Sequence, residues 1–352
     1  MSGNWLLYGA NGYTGELIAR EAVKRGMRPI LAGRSQDKVA KLAQELQCPS
    51  TAFRVDDHTA LVSAIQNSTI VLNCAGPFSA TARSIMQACL ATHVHYLDIT
   101  GEIEVFELAQ SVDDKARRAG VVLCPGVGFD VVPTDSVAVK LKQALPDATH
   151  LALGFESRSG LSRGTAKTAM ESLGEGSKVR REGRIEATPL AVNTRRIDFG
   201  NGERLAVGIP WGDVSTAFHS TGIPNIEVFT SISPDGLKRQ QRMNWFRPML
   251  RSKIVQGWLK RRIERRLKPP DQTQRENNPT YVWGEARNAA GQVKTARLRT
   301  PNGYALTVSA SLGILEHLLA DPHCAGAITP TMLVGPDFVT KLPGCSEIRI
   351  EP

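Results

Sequence analysis

Three glycines spaced three residues apart, Gly9, Gly12 and Gly15, lie near the start of the chain, where they could let a phosphate approach the backbone. An apolar run over residues 5–8 precedes them and is typical of a buried strand, and apolar residues recur at helical spacing after them. The amide groups and positive dipole end of a helix N-terminus favour an anion, and glycines let a diphosphate come close. The residues predicted to hold that diphosphate are Gly9, Asn11, Gly12, Tyr13, Thr14 and Gly15.

The end of the second predicted strand, residues 29–33, indicates which dinucleotide binds. An Asp or Glu at that position would bind the ribose hydroxyls of NAD, whereas an Arg nearby accommodates the extra phosphate of NADP. This chain has Arg34 and Ser35 there, and no acidic residue before Asp37. We therefore predict NADP(H), against the alternative that Arg34 and Ser35 only begin the next helix.

Two further stretches are predicted to lie beside the cofactor. Residues 69–74 are typical of a fourth strand, and Ala75, Gly76 and Pro77 follow it, where ligands bind outside the carboxyl ends of parallel strands. Residues 51–57 indicate a third strand, and Asp56 at its end would either contact the adenine or cap the following helix.

Carboxylates follow the next two predicted strands and are the leading candidates for a proton donor. Asp98 and Glu102 come at the end of strand 95–99, and Asp130 comes after strand 121–124. We predict Asp98 or Asp130 as the acid, which would need a raised pKa to donate near neutrality. Helix capping is the equally weighted alternative, because acidic residues and threonines also begin helices. The Tyr-x-x-x-Lys pair of short-chain reductases is absent.

The histidines offer no metal site on sequence grounds. His93 and His95 are two residues apart and would share a strand face, but no third ligand follows at a suitable spacing. We therefore predict no metal.

The elements around these residues alternate regularly. Short apolar strands alternate with helical patterns up to residue 124, and the connections are only a few residues long. This alternation favours parallel strands with helices on both faces, a Rossmann-type doubly wound α/β sheet assigned to residues 1–140. Its helices are predicted at 37–46, 59–66, 80–91 and 103–119.

After residue 149 the pattern changes to longer strands joined by hairpin turns. It predicts a second, α+β domain over residues 141–312, built on a mostly antiparallel sheet, and a C-terminal segment 313–352. A Gly- and Ser-rich stretch at 159–165 precedes a predicted helix and, with Arg163, offers either an anion pocket or a simple helix start. The strands are predicted at 150–156, 195–199, 203–207, 227–232, 281–288, 293–300 and 304–308, before a helix at 309–320.

The formal charge of +9 is concentrated in one segment. Residues 238–268 contain twelve Lys or Arg and one Glu, a local +11, so the rest of the chain carries −2. Apolar residues, including two tryptophans, recur through these charges at roughly helical spacing. Packing within the protein or at a homodimer interface is favoured over peripheral membrane contact, and nucleic acid is the least favoured partner.

Targeting signals are not evident, and the cysteines form no zinc or redox pattern. No N-terminal segment resembles a signal peptide, no uninterrupted apolar window reaches the length of a spanning helix, and the six cysteines contain no C-x-x-C pair. We expect a cytoplasmic protein, with docking at a membrane surface as the alternative that the basic segment leaves open.

Several ordered motifs resemble the saccharopine dehydrogenase-like oxidoreductases, particularly the branch that contains trans-acting enoyl reductases. The motifs lie at residues 8–15, 31–34, 71–78, 96–102 and 128–130. The resemblance implies a dinucleotide-binding domain, a second domain on a mostly antiparallel sheet, substrate between them, and a C-terminal part that returns to the first domain.

The function that this resemblance implies is an NADPH-dependent oxidoreductase. Hydride would pass to a C=C, C=O or C=N carbon of a small-molecule or lipid-like substrate, such as an acyl group. One alternative is a catalytically silent NADP-binding sensor or scaffold. Another is a saccharopine reductase of the lysine pathway, although the chain shows no matched set of substrate-binding arginines.

Overall fold

The computed structural model describes residues 4–157, 176–246, 278–321 and 324–352, with single positions at 249, 252, 255 and 257. The chain forms two compact units, Met1–Phe129 with Leu306–Val334, and Asp130–Ala305 with Gly335–Pro352. These limits differ from the expected boundaries at 140 and 312. The helix Val132–Ala144 packs against strands of the second unit, and residues 306–334 belong with the first.

The first unit is built on one sheet of seven strands, and every pair in it is parallel. The order across the sheet is the short strand Gly326–Ala327, then β6, β5, β4, β1, β2 and β3. This order, with β1 between β2 and β4, confirms the predicted Rossmann-type sheet. The strands are β1 (Trp5–Tyr8), β2 (Ile30–Gly33), β3 (Ser50–Ala52), β4 (Ile70–Asn73), β5 (His95–Asp98) and β6 (Val122–Cys124).

The strands of this sheet are apolar because helices cover both faces. Every residue of β1, β4, β5 and β6 is buried, which explains the continuous apolar runs in β1, β6 and the first three residues of β4, whereas β5 also buries His95 and Asp98. The helices that follow the strands are α1 (Tyr13–Lys24), α2 (Gln36–Leu46), α3 (His58–Ile65), α4 (Phe78–Thr92), α5 (Ile103–Gln110) and α6 (Asp113–Ala119).

Two predicted elements of this unit have different limits. Residues 103–119 form two helices, α5 and α6, because the chain turns at Ser111, and Asp113 accepts a hydrogen bond from the Ala327 amide at 2.7 Å. The third strand ends at Ala52, so residues 53–57 form a loop.

The second unit is built on a nine-stranded mixed sheet. Its pairs are antiparallel except that between β7 and β12, which confirms the predicted second domain with a mostly antiparallel sheet. The strands are β7 (Ala148–Glu156), β8 (Ser177–Arg181), β9 (Arg184–Thr188), β10 (Thr194–Asp198), β11 (Glu203–Gly208), β12 (Asn225–Ser231), β13 (Thr280–Asn288), β14 (Val293–Thr300) and the terminal strand Arg349–Glu351.

Helices of the second unit include two that the periodicity did not predict. Besides α7 (Val132–Ala144), they are Asp213–Thr221 and Pro234–Met243. The hairpin β8–β9 was also missed. The predicted helix after residue 165, with Arg163, lies outside the described residues, as does nearly all of 247–268.

The helix Gly303–Ala320 corrects the predicted strand at 304–308. The Asn302 side chain accepts a hydrogen bond from the Tyr304 amide at 2.9 Å at the start of the helix. Residues 304–308 form a short, mostly apolar run that is compatible with either a strand or a buried helix, and Leu306 and Ala310 lie one turn apart on a buried helix face. Its 18 residues are long and apolar enough to cross a membrane, yet 50% of that window is buried, as in a core helix.

Candidate functional site

The predicted nucleotide loop joins β1 to α1 and is tightly folded on neighbouring backbone. The amides of Gly9 and Ala10 both donate to the Ala32 carbonyl, at 2.8 and 3.0 Å. Gly9 has φ +82°, and a Cβ there would lie 2.8 Å from the Ala75 nitrogen. A Cβ at Gly15 would lie 2.3 Å from the Gly9 carbonyl oxygen. Side chains at these two positions are excluded by backbone, so this loop requires glycine.

The N-terminus of α1 has the features of an anion site. Gly12 is the N-cap residue and has no side chain with which to cap the helix. Its carbonyl accepts from Glu16, which begins the helical hydrogen bonds. The first amides of a helix have no intrahelical acceptor, and the helix dipole adds positive potential there. The geometry therefore fits a diphosphate group.

The loop after β4 lies directly against the glycine loop. β1 and β4 are neighbours at the point where the strand order reverses, which is where ligands bind in sheets of this kind. The Cys74 amide donates to the Tyr8 carbonyl at 2.8 Å, so the chain enters this loop beside β1. The structure thus brings Ala75, Gly76 and Pro77 to the predicted cofactor edge.

Arg34 and Ser35 lie at the carboxyl end of β2. Arg34 is exposed, and Ser35 is the N-cap of α2, although its hydroxyl makes no capping hydrogen bond. A Cβ at Gly33 would lie 2.9 Å from the Asn11 Oδ1 atom, so Asn11 reaches over the end of β2. Arg34 therefore follows a strand end that touches the glycine loop, as a phosphate-binding arginine requires.

A second cation at this edge, Arg54, was not predicted. Burial raises the pKa of the Tyr8 hydroxyl, and the positive charges of Arg34 and Arg54 act against that rise, so both lie near it. Tyr8 stacks on Phe53 with ring centroids 5.0 Å apart. Arg54 lies two residues after the end of β3, and the prediction of a strand over residues 51–57 placed it inside that strand, so sequence reasoning did not find it.

Asp56 lies on the surface and pairs with Arg54. The two guanidinium–carboxylate contacts are 3.0 and 2.8 Å, and this hydrogen bonding lowers the pKa of Asp56. The helix cap that was the alternative for Asp56 is instead Asp57, whose carboxylate accepts from the Ala60 amide at 3.0 Å. An adenine contact by Asp56 stays a prediction.

Asp98 is completely buried and hydrogen-bonded to three donors. It accepts from the Tyr96 hydroxyl at 2.7 Å, the Gly126 amide at 2.9 Å and the Thr100 amide at 3.0 Å. Burial raises the pKa of Asp98 to about 7, against the opposing effect of these hydrogen bonds. The raised pKa suits a proton donor, but the carboxylate is enclosed by protein donors.

The Asp98 side chain connects three loops at the carboxyl edge of the sheet. Through Gly126 it holds the segment after β6, and through Tyr96 it reaches Asn73 of β4, whose amide donates to the Tyr96 hydroxyl at 3.2 Å. Asn73 in turn accepts from the Ala75 amide at 3.0 Å. This geometry favours a positioning role for Asp98, while proton donation to a substrate stays a prediction.

Glu102 caps a helix other than its own. Its carboxylate accepts from the amides of Phe78 at 2.9 Å and Ser79 at 2.7 Å, at the N-terminus of α4. The Thr100 hydroxyl accepts from the Glu102 amide at 3.0 Å. For Glu102 the structure therefore supports the capping alternative, whereas the Thr100 hydroxyl bonds only the amide of the residue that precedes α5.

Asp130 belongs to the second unit, whereas Asp98 belongs to the first. Asp130 is half-buried, and its carbonyl accepts from the Trp211 indole at 2.8 Å. Its role as an acid stays a prediction. Near it the structure contains a buried carboxyl that sequence reasoning missed, Asp213.

Neither carboxyl oxygen of Asp213 has a hydrogen-bond partner in the part of the chain that the structure describes. Burial raises the pKa of Asp213 well above its usual value, and the charges of Asp135 and Asp130 add to that effect. The Thr134 hydroxyl lies close enough to offset part of the rise, but it donates to the Val131 carbonyl at 3.0 Å. Burial therefore favours the protonated form of Asp213.

The ring nitrogens of His93 and His95 contact backbone groups. The Nδ1 atom of His95 accepts from the Val122 amide at 3.0 Å, and that of His93 lies 2.8 Å from the Ala119 carbonyl. Across the described ranges, no group of three His, Cys, Asp or Glu side chains could hold a metal.

Comparison with known proteins agrees with this geometry. Residues 5–124 match the profile of the saccharopine dehydrogenase NADP-binding domain. The matched range contains the glycine loop, Arg34, Asp56, the loop after β4 and Asp98.

Similarity to individual proteins covers about half of the chain. A human saccharopine dehydrogenase-like oxidoreductase is 27% identical over 202 residues, which is 50% of this chain and 47% of the human one. A Mycobacterium tuberculosis protein named as a trans-acting enoyl reductase is 29% identical over 190 residues, 49% of this chain and 44% of that one. The chain spans about half the length of the curated relatives it matches.

A solved structure of similar fold covers the whole chain. The structure of saccharopine dehydrogenase (L-Glu forming) from Saccharomyces cerevisiae superimposes with a TM-score of 0.65, covering 100% of both chains at 11% identity. At that identity the likeness concerns the fold alone. The profile match and the geometry of the glycine loop together indicate that residues 5–124 form an NADP-binding domain similar to that of the saccharopine dehydrogenases.

Proposed function

We propose that this protein is an NADPH-dependent oxidoreductase that reduces a C=C, C=O or C=N bond of a small-molecule or lipid-like substrate. The observation that carries the proposal is the glycine loop, which packs against the loop after β4. Arg34 lies beside this loop, at the end of the neighbouring strand β2. When bound, NADPH supplies the hydride, and the protein supplies binding, orientation and a proton.

The residues of the first unit would divide this work among them. The N-terminus of α1 binds the diphosphate, and Arg34 with Ser35 binds the additional phosphate on the adenosine ribose. Ala75, Gly76 and Pro77 form the wall beside the cofactor. Asp98 holds that wall in place through Tyr96 and Asn73.

Among substrates we favour an unsaturated acyl group. The support is the similarity to the mycobacterial relative, which is named as an enoyl reductase. The yeast protein of similar fold is a saccharopine dehydrogenase of the glutamate-forming type, so saccharopine is the alternative substrate to include in any screen.

The test begins with the cofactor. Tryptophan fluorescence quenching should show NADPH binding at least about tenfold tighter than NADH, a difference of about 1.4 kcal/mol. Arg34→Ala should remove that preference and leave NADH affinity unchanged. The matched control is Arg118→Ala, an exposed arginine of α6, which should behave as the native protein does. Absence of binding by either cofactor would overturn the proposal.

A second candidate function is a silent NADP-binding module. It is supported by the enclosure of Asp98 by three protein donors. NADPH oxidation is then measured with enoyl thioesters, ketones and imines, and NADP reduction with saccharopine. Turnover of any one of them removes the silent alternative, whereas tight NADPH binding without turnover favours it.

A further inference from the structure

Three large apolar side chains of the second unit are exposed to solvent. Val192 is 56% exposed, Trp245 is 88% exposed and Met249 is 55% exposed. Among the described residues only two other large hydrophobic side chains, Met332 and Ile350, are open to solvent to a comparable degree. An exposed tryptophan is the most unusual of these, because its burial would contribute more free energy than that of any other side chain.

Reciprocal hydrogen bonds bring the first two of these side chains to the same place. The Asn244 side chain accepts from the Leu190 amide at 2.9 Å and donates to the Leu190 carbonyl at 2.8 Å. Asn244 directly precedes Trp245, and Leu190 is two residues before Val192. Both exposed side chains therefore flank one fixed contact.

The helix that leads to this contact, Pro234–Met243, presents cations. Lys238, Arg239 and Arg242 lie on it, and Leu237 and Met243 are half-buried. None of the three cations forms an ion pair within the described ranges. The Ser233 hydroxyl caps the helix by accepting from the Gly236 amide at 3.1 Å, so the cationic helix has a defined start.

The sequence beyond Phe246 continues in the same composition. Residues 247–268 contain nine further Lys or Arg, one Glu and a second tryptophan. In the sequence, positive charge therefore lies both before and after Trp245.

The density of positive charge around the tryptophan favours a lipid surface over a protein partner. Tryptophan and arginine also occur at protein interfaces, but the cores of those interfaces are depleted of charged residues, whereas residues 238–268 contain twelve Lys or Arg and one Glu. A membrane surface instead accepts tryptophan at the headgroup level, beside lysines and arginines that attract anionic lipids.

We propose that Val192, Lys238, Arg239, Arg242 and Trp245 form a surface that docks on anionic phospholipid membranes. The docking is independent of the proposed reaction, because all five residues belong to the second unit and none belongs to the NADP-binding domain.

The experiment is co-sedimentation of the full chain with phosphatidylcholine vesicles, with and without phosphatidylserine. Binding should require phosphatidylserine and weaken with salt. Replacing Lys238, Arg239 and Arg242 by Glu should weaken it by about 100-fold, and Trp245→Ser by about tenfold.

Two matched controls test whether a loss of vesicle binding comes from these positions or from any equal change in net charge or exposed apolar area. Replacing Lys41, Lys115 and Arg118 by Glu makes the same change of charge on exposed positions of the first unit. Met332→Ser removes a side chain that is 51% exposed outside the surface. Both controls should retain vesicle binding, and NADPH affinity should be unchanged in all variants.

Several results would overturn the proposal. These are no binding to anionic vesicles at low salt, or equal losses in the control variants. Another is binding to duplex DNA or RNA with the same dependence on the three cations and no dependence on Trp245. A dimer in the native protein that Trp245→Ser converts to a monomer would identify the surface as a subunit interface instead.

Discussion

Asp213 shows how one buried carboxyl affects the stability of the second unit. Neither of its oxygens has a hydrogen-bond partner within the described ranges, and burial holds its pKa well above the usual value. In the unfolded chain the same carboxyl titrates near pH 4. Between the unfolded and folded pKa values the folded state binds more protons than the unfolded state, so its stability falls as pH rises through that window.

Asp213→Asn should remove this pH dependence. The variant cannot ionise, so it should resemble the native protein below about pH 4 and exceed it in free energy of unfolding at pH 8. The expected gain at pH 8 is the stability that the native protein loses through this titration, about 1.4 kcal/mol for each pH unit of the window. Urea unfolding at both pH values provides the measurement. Asp114→Asn, at an exposed position, is the control, and equal slopes for native protein and Asp213→Asn would contradict the assignment.

The roles of Asp98 and Glu102 at the sheet edge depend on contacts with distant parts of the chain, which the spacing of the sequence motif does not reveal. Asp98 and Glu102 lie in one short motif, yet Asp98 serves loops after β4 and β6, while Glu102 caps α4. Glu102 and Ser79 are separated by 23 residues, so capping could not be distinguished from acid chemistry by sequence alone. Arg34 could be predicted because its position relative to a strand end has a known use.

At the scale of elements, the parallel sheet could be predicted and parts of the mixed sheet could not. Strands buried on both faces appear as apolar runs between amphipathic helices, which is a local pattern. β9, in contrast, has exposed positions at Arg184, Glu186 and Ala187 and no buried residue, so its sequence lacks a strand pattern. The helix Gly303–Ala320 begins with a short apolar run that periodicity alone cannot assign to a strand or to a buried helix.

The start of α4 depends on Glu102. Pro77 is the N-cap residue and makes no side-chain cap, so the amides of Phe78 and Ser79 rely on the distant carboxylate. Glu102→Ala should lower the free energy of unfolding by about 1–2 kcal/mol, as loss of a helix cap does, and Glu102→Gln by less, because it keeps an acceptor. Urea unfolding at pH 7 measures both.

The comparison for this prediction is Asp57→Ala. Asp57 caps α3 through one amide instead of two, so its loss should cost less than that of Glu102. If Glu102→Ala unfolds at the same urea concentration as the native protein, the carboxylate does not stabilise α4.

At the scale of the whole molecule, the two units carry different proposed tasks. The residues predicted to hold NADP(H) all belong to the first unit, and the proposed membrane surface belongs to the second. Ligand binding to the folded state stabilises it by an amount that depends on the free ligand concentration relative to Kd. NADPH should therefore stabilise the first unit strongly and leave the stability of the second unit unchanged.

NADPH at 100 times its Kd should raise the free energy of unfolding of the NADP-binding unit by about 2.7 kcal/mol. Hydrogen exchange should slow in the glycine loop, at Arg34 and Ser35, and in the loop after β4, because these backbones are predicted to contact the cofactor. Arg34→Ala at the same NADPH concentration should lose part of both effects, since its affinity is lower. Slower exchange at the cationic helix Pro234–Met243 but not at the glycine loop would show that the nucleotide binds as a polyanion to the basic surface, and the diphosphate assignment to α1 would then fail.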